Sequence, residues 1–254
     1  MRVIRYFASS LLLTCVIAYS QVNTETMRSG GTEGFNNSLF IDIGIEKSND
    51  QVFESNIEYR FDLDLSKTTS FFLVFNYDHS YEESSNNKNL ITNKGFGHAR
   101  TTKDFNKDFS IEVFFQYGFN DFLLMKQRRL FGSGLRYHFF DKDRHDIYVG
   151  LGAMKEIEKY DTISNNYKNL FRSTNYVTYD LNFSSKATLS TTSYYQMDFS
   201  SNEDYRILLD SSFQYKLSEQ FAIQLEYNYR YDSDPHGELG KTYVQIKNGF
   251  ELIF

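Results

Sequence analysis

The sequence has 254 residues, 24% of them charged, and a formal net charge of −6 at pH 7. This acidic balance excludes the basic surface that nucleic-acid-binding proteins need, and the single cysteine, Cys15, excludes a disulfide framework or a multi-cysteine metal site. Aromatic residues make up 18% of the chain, whereas proline occurs once. Soluble proteins of this length usually carry more prolines and fewer aromatic rings, so these rings are expected to face an apolar medium.

The first twenty residues have the features of a secretory signal peptide. Arg2 and Arg5 are followed by an apolar run over 11–17, and Ala18-Tyr19-Ser20 fits a cleavage site. Residues 1–20 contain no acidic residue, so their removal leaves 25 basic against 33 acidic residues and a net charge of −8. The sequence therefore predicts an exported protein.

Cys15 leaves a lipoprotein open as an alternative. Thr14 precedes this cysteine where a lipoprotein usually has Gly, Ala or Ser. Part of the apolar run also lies behind Cys15. We therefore expect cleavage before Gln21, followed by a polar N-terminal segment over 21–37.

From residue 38 onward, apolar and polar residues alternate with period two, which is typical of strands with one apolar face. The clearest segment is 221–231, where every odd residue is apolar or aromatic and most even residues are polar. The apolar connection between Tyr117 and Arg128 leaves ten strands open as an alternative. Twelve strands are predicted, at 38–46, 53–63, 70–79, 95–104, 111–117, 128–139, 146–155, 172–183, 188–199, 205–217, 221–231 and 242–254.

The predicted strands approach the ~9 to 11 residues that a tilted strand needs to cross a bilayer. Twelve such strands predict an all-β fold, a transmembrane antiparallel up-and-down β-barrel over 38–254 in a bacterial outer membrane, with its C-terminus periplasmic. A secreted soluble β-sandwich also alternates and is the alternative fold. In the barrel, short connections such as 141–144 and 218–219 are periplasmic turns. The opposite connections include longer polar loops at 82–93, 158–169 and 232–240.

The last strand places Phe250, Leu252 and the terminal Phe254 on one face. A terminal Phe with apolar residues at alternate positions before it resembles the signal by which outer-membrane barrels are recognised by their assembly machinery. The expected partners are therefore that machinery, outer-membrane lipid and lipopolysaccharide.

The opposite face of the predicted strands carries charges of both signs, which are expected to pair inside the barrel because an unpaired buried charge is costly. A structural network that fills the lumen and a narrow channel for a small polar solute are both compatible with these charges. The predicted lumen residues are Glu58, Arg60, Glu112, Arg136, Arg172, Asp180, Arg206, Asp210, Glu226, Arg230, Lys247 and Glu251.

Gly132, Gly134, Gly150 and Gly152 lie on neighbouring predicted strands, where they rule out a phosphate-binding loop at the start of a helix. By strand phase all four face the lumen, and the patch of wall without side chains is expected to accommodate bulky lumen residues or the segment 21–37.

No catalytic site, cofactor or metal is predicted. A hydrolytic site needs a hydroxyl nucleophile beside an oriented base, and the five histidines lie outside the motif of outer-membrane phospholipases. Two acidic clusters were weighed as ion sites and are expected to be solvated turns, because basic residues offset the first and neither has EF-hand spacing. The clusters are Asp141, Asp143 and Asp146, and Asp232, Asp234 and Glu238.

Four stretches together resemble one family of barrels, the domain of unknown function 481 family (DUF481, YdiY-like), described as salt-induced outer-membrane proteins. They are Val22-Asn23-Thr24-Glu25-Thr26-Met27-Arg28, Phe131-Gly132-Ser133-Gly134-Leu135-Arg136-Tyr137, Val149-Gly150-Leu151-Gly152 and Tyr229-Arg230-Tyr231-Asp232-Ser233-Asp234-Pro235. The resemblance implies an outer-membrane location and a barrel fold, and it implies no known reaction.

Overall fold

The computed structural model describes residues 35–47, 51–84, 87–162, 166–236 and 240–253. The predicted signal peptide, the segment 21–34 and Phe254 lie outside them. The described residues form twelve strands and one 3-10 helix, Asp121–Leu123, between the fifth and sixth strands. The strands are β1 Phe35–Lys47, β2 Gln51–Ser66, β3 Thr69–Ser84, β4 Asn87–Asp104, β5 Phe109–Asn120, β6 Met125–Lys142, β7 His145–Tyr160, β8 Tyr167–Asn182, β9 Ala187–Asp198, β10 Ser201–Lys216, β11 Phe221–Asp232 and β12 Thr242–Ile253.

Each strand pairs with its neighbours in chain order, and β1 pairs with β12, so the sheet closes into an antiparallel up-and-down barrel. The closing pair runs from Ser38 opposite Ile253 to Ile41 opposite Phe250. The predicted fold and strand number are confirmed, and the ten-strand and β-sandwich alternatives are wrong. Among the described residues, no helix is long enough and apolar enough to cross a membrane.

The barrel wall is apolar outside and polar inside. Large apolar side chains on the outward face are exposed, as at Ile45 and Ile246, both 66% exposed. Among the described residues, buried polar and charged side chains outnumber buried hydrophobic ones. A soluble barrel has the opposite distribution, whereas a barrel in lipid needs an apolar outer band and tolerates a polar interior.

The two ends of the barrel differ in their connections. β1 begins and β12 ends at one end, together with the connections 67–68, 105–108, 143–144, 183–186 and 217–220, which we call the turn end. The opposite end, called the loop end, has the longest connection of the chain, 233–241.

The prediction of a long loop at 82–93 is wrong. β3 and β4 continue through this region as a hairpin, with Tyr81 opposite Leu90 and Glu83 opposite Lys88. The Lys88 Nζ atom lies 3.4 Å from the centre of the Tyr81 ring. Backbone hydrogen bonds and cross-strand contacts extend a hairpin regardless of side-chain polarity, so the polar composition was a poor indicator of a loop.

The apolar connection between β5 and β6 contains a short 3-10 helix. Asn120 caps the 3-10 helix by accepting a hydrogen bond from the backbone N–H of Leu123 at 3.3 Å. Leu123 is buried against Met125 and Tyr160 at the loop end. These apolar residues therefore pack inside the barrel mouth.

Candidate functional site

The lumen at the loop end contains a compact cluster of ionic side chains, the loop-end ion network. Its glutamates come from β7 and its arginines from β6, β8 and β10, because inward positions recur every second residue on each strand. The network comprises Arg128, Glu156, Glu158, Arg172, Asp204, Arg206 and Asp232.

Glu156 is the centre of the network and has no exposed surface. It contacts three guanidinium groups: Arg128 Nη2 at 2.5 Å, Arg172 Nε at 2.8 Å and Arg206 Nη1 at 2.9 Å. The remaining donors of Arg172 reach Asp204 at 2.7 and 2.8 Å. Multiple charge-assisted hydrogen bonds of this kind are strong and fix the geometry of planar groups.

The rest of the network surrounds this centre. Arg206 Nε donates to Asp232 Oδ2 at 2.8 Å, and Arg206 Nη1 lies 3.4 Å from Glu158 Oε1. The Tyr160 hydroxyl donates to Glu158 Oε2 at 2.7 Å. The network thus ties β6, β7, β8, β10 and β11 together across the bore.

A second group, nearer the turn end, centres on Glu112. Tyr176 donates its hydroxyl to Glu112 Oε2 at 2.8 Å, and Arg100 Nη1 lies 3.5 Å from the same oxygen. The guanidinium of Arg136 is 3.9 Å from Glu112 Oε1 and lies over the Tyr148 ring, 3.8 Å from its centre. Guanidinium groups gain additional stabilisation over aromatic faces, so rings fill the lumen between the charges.

The opposite side of the lumen, formed by β1, β2, β11 and β12, has an excess of acidic side chains and is called the acidic wall. Lys247 Nζ lies 3.1 Å from Asp78 of β3. Lys94 Nζ lies 3.1 Å from the same carboxylate. The wall comprises Asp42, Glu58, Glu226 and Glu251, whose relative solvent exposure is intermediate, with Lys247 among them.

Polar side chains accompany the acidic wall. Asn76 donates to Glu58 Oε2 at 3.4 Å, Gln224 donates to Glu226 Oε1 at 2.9 Å, and Gln214 donates to Glu251. The described inward cations on these four strands form ion pairs with acids outside the wall: Arg60 with Asp62, Arg230 with Asp210 and Lys247 with Asp78.

The remaining predicted lumen residues pair locally. Arg230 contacts Asp210 at 2.5 and 2.8 Å, Arg60 Nε contacts Asp62 at 2.6 Å, and Asp180 accepts from Ser190 Oγ at 2.5 Å. All twelve predicted residues therefore lie on the inward face, distributed over the loop-end ion network, the Glu112 group, the acidic wall and these pairs.

The four predicted glycines lie where neighbouring groups come very close. A Cβ atom on Gly150 would be 2.0 Å from the Tyr176 ring, and one on Gly132 would be 2.4 Å from the Phe114 ring. Gly134 and Gly152 are opposite each other in the β6–β7 pairing. A Cβ atom added to either glycine would lie within 3.1 Å of the Cα atom of the other. Beside them lies a cavity of about 40 Å³. Bulky lumen side chains thus occupy the space over Gly132 and Gly150.

The long connection at the loop end packs onto the ion network. The ring of His236 stacks on Tyr160 with 3.7 Å between ring centres, and Lys168 Nζ contacts Asp234 Oδ2 at 3.0 Å. Burial lowers the pKa of His236 below its ordinary value, and the nearby Lys168 lowers it further. The neutral imidazole is therefore the form that suits this packing.

Of the two acidic clusters in the sequence, the second separates in the structure, whereas Asp141 and Asp146 of the first stay close together. Asp232 pairs with Arg206 and Asp234 with Lys168, while Glu238 lies outside the described residues. At the turn end, His138, Asp141 and Asp146 each bring one potential ligand atom within 4.8 Å of the others. His138 Nε2 is already 3.2 Å from Asp146 Oδ1, and its ring stacks on Tyr148.

Sequence reasoning missed the centre of the loop-end ion network. The predicted strand 146–155 ends one residue before Glu156, and the predicted outer loop 158–169 contains Glu158. The available signal was the continued alternation of Met154, Glu156 and Glu158 with outward residues. β7 extends to Tyr160, which places both glutamates inside the barrel.

Comparisons with known proteins support the fold. The translocator domain of the autotransporter NalP from Neisseria meningitidis has a TM-score of 0.51, at 11% identity over 88% of this chain and 89% of that chain. The NanC porin has a TM-score of 0.49, at 7% identity over 86% and 97%. The KdgM porin has a TM-score of 0.44, at 13% identity over 86% and 98%. A comparison with curated protein sequences gave no match.

The likeness to the NalP translocator domain is one of fold, that of an outer-membrane barrel. The family model described as a protein of unknown function, DUF481, matches residues 48–254, which is most of the chain. This chain belongs to the DUF481 family.

Proposed function

We propose that this chain is a non-enzymatic, integral outer-membrane barrel whose bore is closed at the loop end by its ion network. The observation that carries this proposal is the burial of Glu156, Arg172 and Arg206, which are at most 3% exposed inside the loop end of the barrel. Side chains from five strands meet there, so water and solutes have no wide path past them.

The proposed orientation places the turn end in the periplasm, after removal of residues 1–20. It is supported by the position of both barrel ends at the turn end and by the long connection 233–241 at the other end. Bacterial barrels with an even strand number have this arrangement.

The proposed lack of catalysis is supported by the surroundings of the lumen histidines. His98 lies between the rings of Phe72 and Phe114, and its Nδ1 atom is 3.4 Å from Gln116. His138 contacts a carboxylate and a ring. A nucleophilic mechanism needs a hydroxyl beside such a base, and these contacts suit structural packing.

Single-channel recording in planar bilayers tests the closed bore. We expect the refolded protein to give no reproducible conductance step, whereas Arg172→Ala combined with Arg206→Ala is expected to give steps, because both cations that bridge β7 to β8 and β10 are lost. Arg60→Ala is the matched control, since Arg60 pairs with Asp62 outside the network. Reproducible steps from the unmodified protein contradict a closed bore.

A narrow cation channel is the second candidate function, and the half-buried acidic wall favours it. A lumen lined with excess carboxylates attracts cations and repels anions. In the same recordings, small cation-selective steps from the unmodified protein, reduced in Glu58→Gln combined with Glu226→Gln, would support this candidate over the closed bore.

A further inference from the structure

The cavity beside Gly134 and Gly152, called the lumen cavity, has a polar lining. It has a volume of about 40 Å³, and both glycines line it, so their lack of side chains preserves its space. Gln116, Thr174 and Gln196 line it from β5, β8 and β9, and each is at most 6% exposed. The lumen cavity therefore presents buried carboxamide and hydroxyl groups to its occupant.

Gln196 carries a polar atom that the barrel wall does not satisfy. Its side chain is 6% exposed, and its Oε1 atom has no hydrogen-bond partner among the described residues. A buried carboxamide oxygen without a donor is unfavourable, and buried polar atoms that lack a protein partner are usually bonded to ordered water. Because Gln196 lines the lumen cavity, we expect a donor in that cavity.

The charges around the lumen cavity favour a neutral occupant. Arg100 and Glu112 both line it, and Arg100 Nη1 lies 3.5 Å from Glu112 Oε2. This cation and this anion compensate each other, so they offer an ion no excess of opposite charge. Phe114 and Met154 contribute apolar surface to the lining, which disfavours an ion further because an ion would lose its hydration there.

The size of the lumen cavity fits water. One water molecule needs at least ~10 to 15 Å³ of such space and polar groups to bond to, so about 40 Å³ accommodates roughly one to three waters. Water both donates and accepts hydrogen bonds. It can therefore donate to Gln196 Oε1 and also bond to the hydroxyl of Thr174 or the carboxamide of Gln116, which themselves donate and accept.

The lumen cavity lies between two packed groups of the bore. On its loop side, Gln196 is directly opposite Arg206 of the loop-end ion network. On its turn side, the rings of Tyr176 and Tyr194 lie 5.1 Å apart, centre to centre, and pack with Leu208. An ordered water in the cavity would therefore complete the polar interior directly beneath the ion network.

We infer that the lumen cavity is a structural water site. At least one ordered water donates a hydrogen bond to Gln196 and connects it to the polar groups of β5 and β8. This inference concerns occupation of the cavity and does not rest on a closed bore.

A crystal structure of the refolded protein, at a resolution that shows ordered water, tests the site. We expect electron density for at least one water about 2.7 to 3.2 Å from the side-chain oxygen or nitrogen of Gln196. Gln196→Leu keeps a side chain of similar size without polar atoms and is expected to lose this water. Gln245→Leu on β12 is the matched control and is expected to keep it, because the cavity is lined from β4 to β9.

Heat-modifiable gel migration checks folding, and the density in the unmodified protein decides alone if Gln196→Leu does not fold. In lipid bilayers, solid-state NMR is expected to show magnetisation transfer from water to the Gln196 side-chain amide. A cavity without density, an ion or a larger molecule in it, the same water retained in Gln196→Leu, or no magnetisation transfer each overturns the inference. Water is expected in the cavity whether or not the bore conducts, so failure of this inference is distinguishable from failure of the closed bore.

Discussion

The loop-end ion network and the acidic wall use the same residue types inside one barrel, yet they differ in pairing and burial. Glu156 is fully buried and contacts three arginines, whereas Glu58 is half-buried and accepts a hydrogen bond from Asn76. A buried charge is tolerated where several opposite charges and hydrogen bonds compensate its lost hydration. The charges on the network side thus compensate one another inside the bore, while the carboxylates of the acidic wall are half-buried.

Tightly packed glycines occur on both sides of the bore. On the network side, Gly134 and Gly150 of β6 and β7 face backbone or a ring at less than 3.0 Å from a would-be Cβ. On the acidic side, a Cβ on Gly249 of β12 would be 2.4 Å from the Phe40 ring, whereas one on Gly44 of β1 would meet only Glu54, at an ordinary 3.6 Å. Gly44 therefore has room for a larger side chain, whereas Gly134, Gly150 and Gly249 do not.

The largest expected effect comes from filling the space beside Gly134 and Gly150. Gly134→Leu combined with Gly150→Leu is expected to prevent folding, because the Tyr176 ring and the Leu151 carbonyl occupy the required space and overpacking costs ~1 to 3 kcal/mol per site or more. Heat-modifiable gel migration and expression level measure the outcome. Gly44→Leu is the control and is expected to migrate as the unmodified protein does; normal migration of the double variant shows that the packing is loose.

A somewhat smaller effect is expected from removing one carboxylate of the network. Glu156→Gln leaves three arginines without their shared anion, and breaking a buried ionic group typically costs ~3 to 5 kcal/mol of unfolding free energy. Glu58→Gln, in the acidic wall, is expected to change the unfolding free energy by ~1 kcal/mol or less. Urea titration in detergent micelles, followed by gel migration, compares the two. Equal losses of unfolding free energy in the two variants would mean that the difference in burial between Glu156 and Glu58 does not affect stability.

The sequence predicted which face of each strand each charge occupies, since strand alternation is a local property. Arg172 and Arg206 were placed on the inward face by phase alone, and both lie there. Their shared partner Glu156 lies one residue beyond the predicted strand 146–155, next to the predicted polar loop 158–169. In a membrane barrel polar side chains form the interior, so polarity marks the lumen as well as the loops.

The alternation pattern does not predict contacts between strands that are not neighbours. Arg206 of β10 and Glu156 of β7 are fifty residues apart in the chain and meet across the bore. Their pairing depends on the curvature and stagger of the closed sheet, which a single sequence does not encode in any local pattern. The same holds for the Tyr176 ring over Gly150, although the glycines themselves indicated that something bulky packs there.

The smallest expected effect concerns the connection that covers the network. Because the pKa of His236 is lowered below its ordinary value of 6.5 in the packed state, the packing of this connection on Tyr160 is fully present above pH 6.5 and weakens as the pH falls and the imidazole becomes charged. A spin label on Gly240→Cys is expected to become more mobile between pH 7 and pH 5; the chain from Gln21 onward has no other cysteine. His236→Phe keeps a ring for stacking on Tyr160 but cannot be protonated, so its mobility is expected to be independent of pH. An equal pH response in both proteins would show that another group, rather than His236, causes the change in mobility.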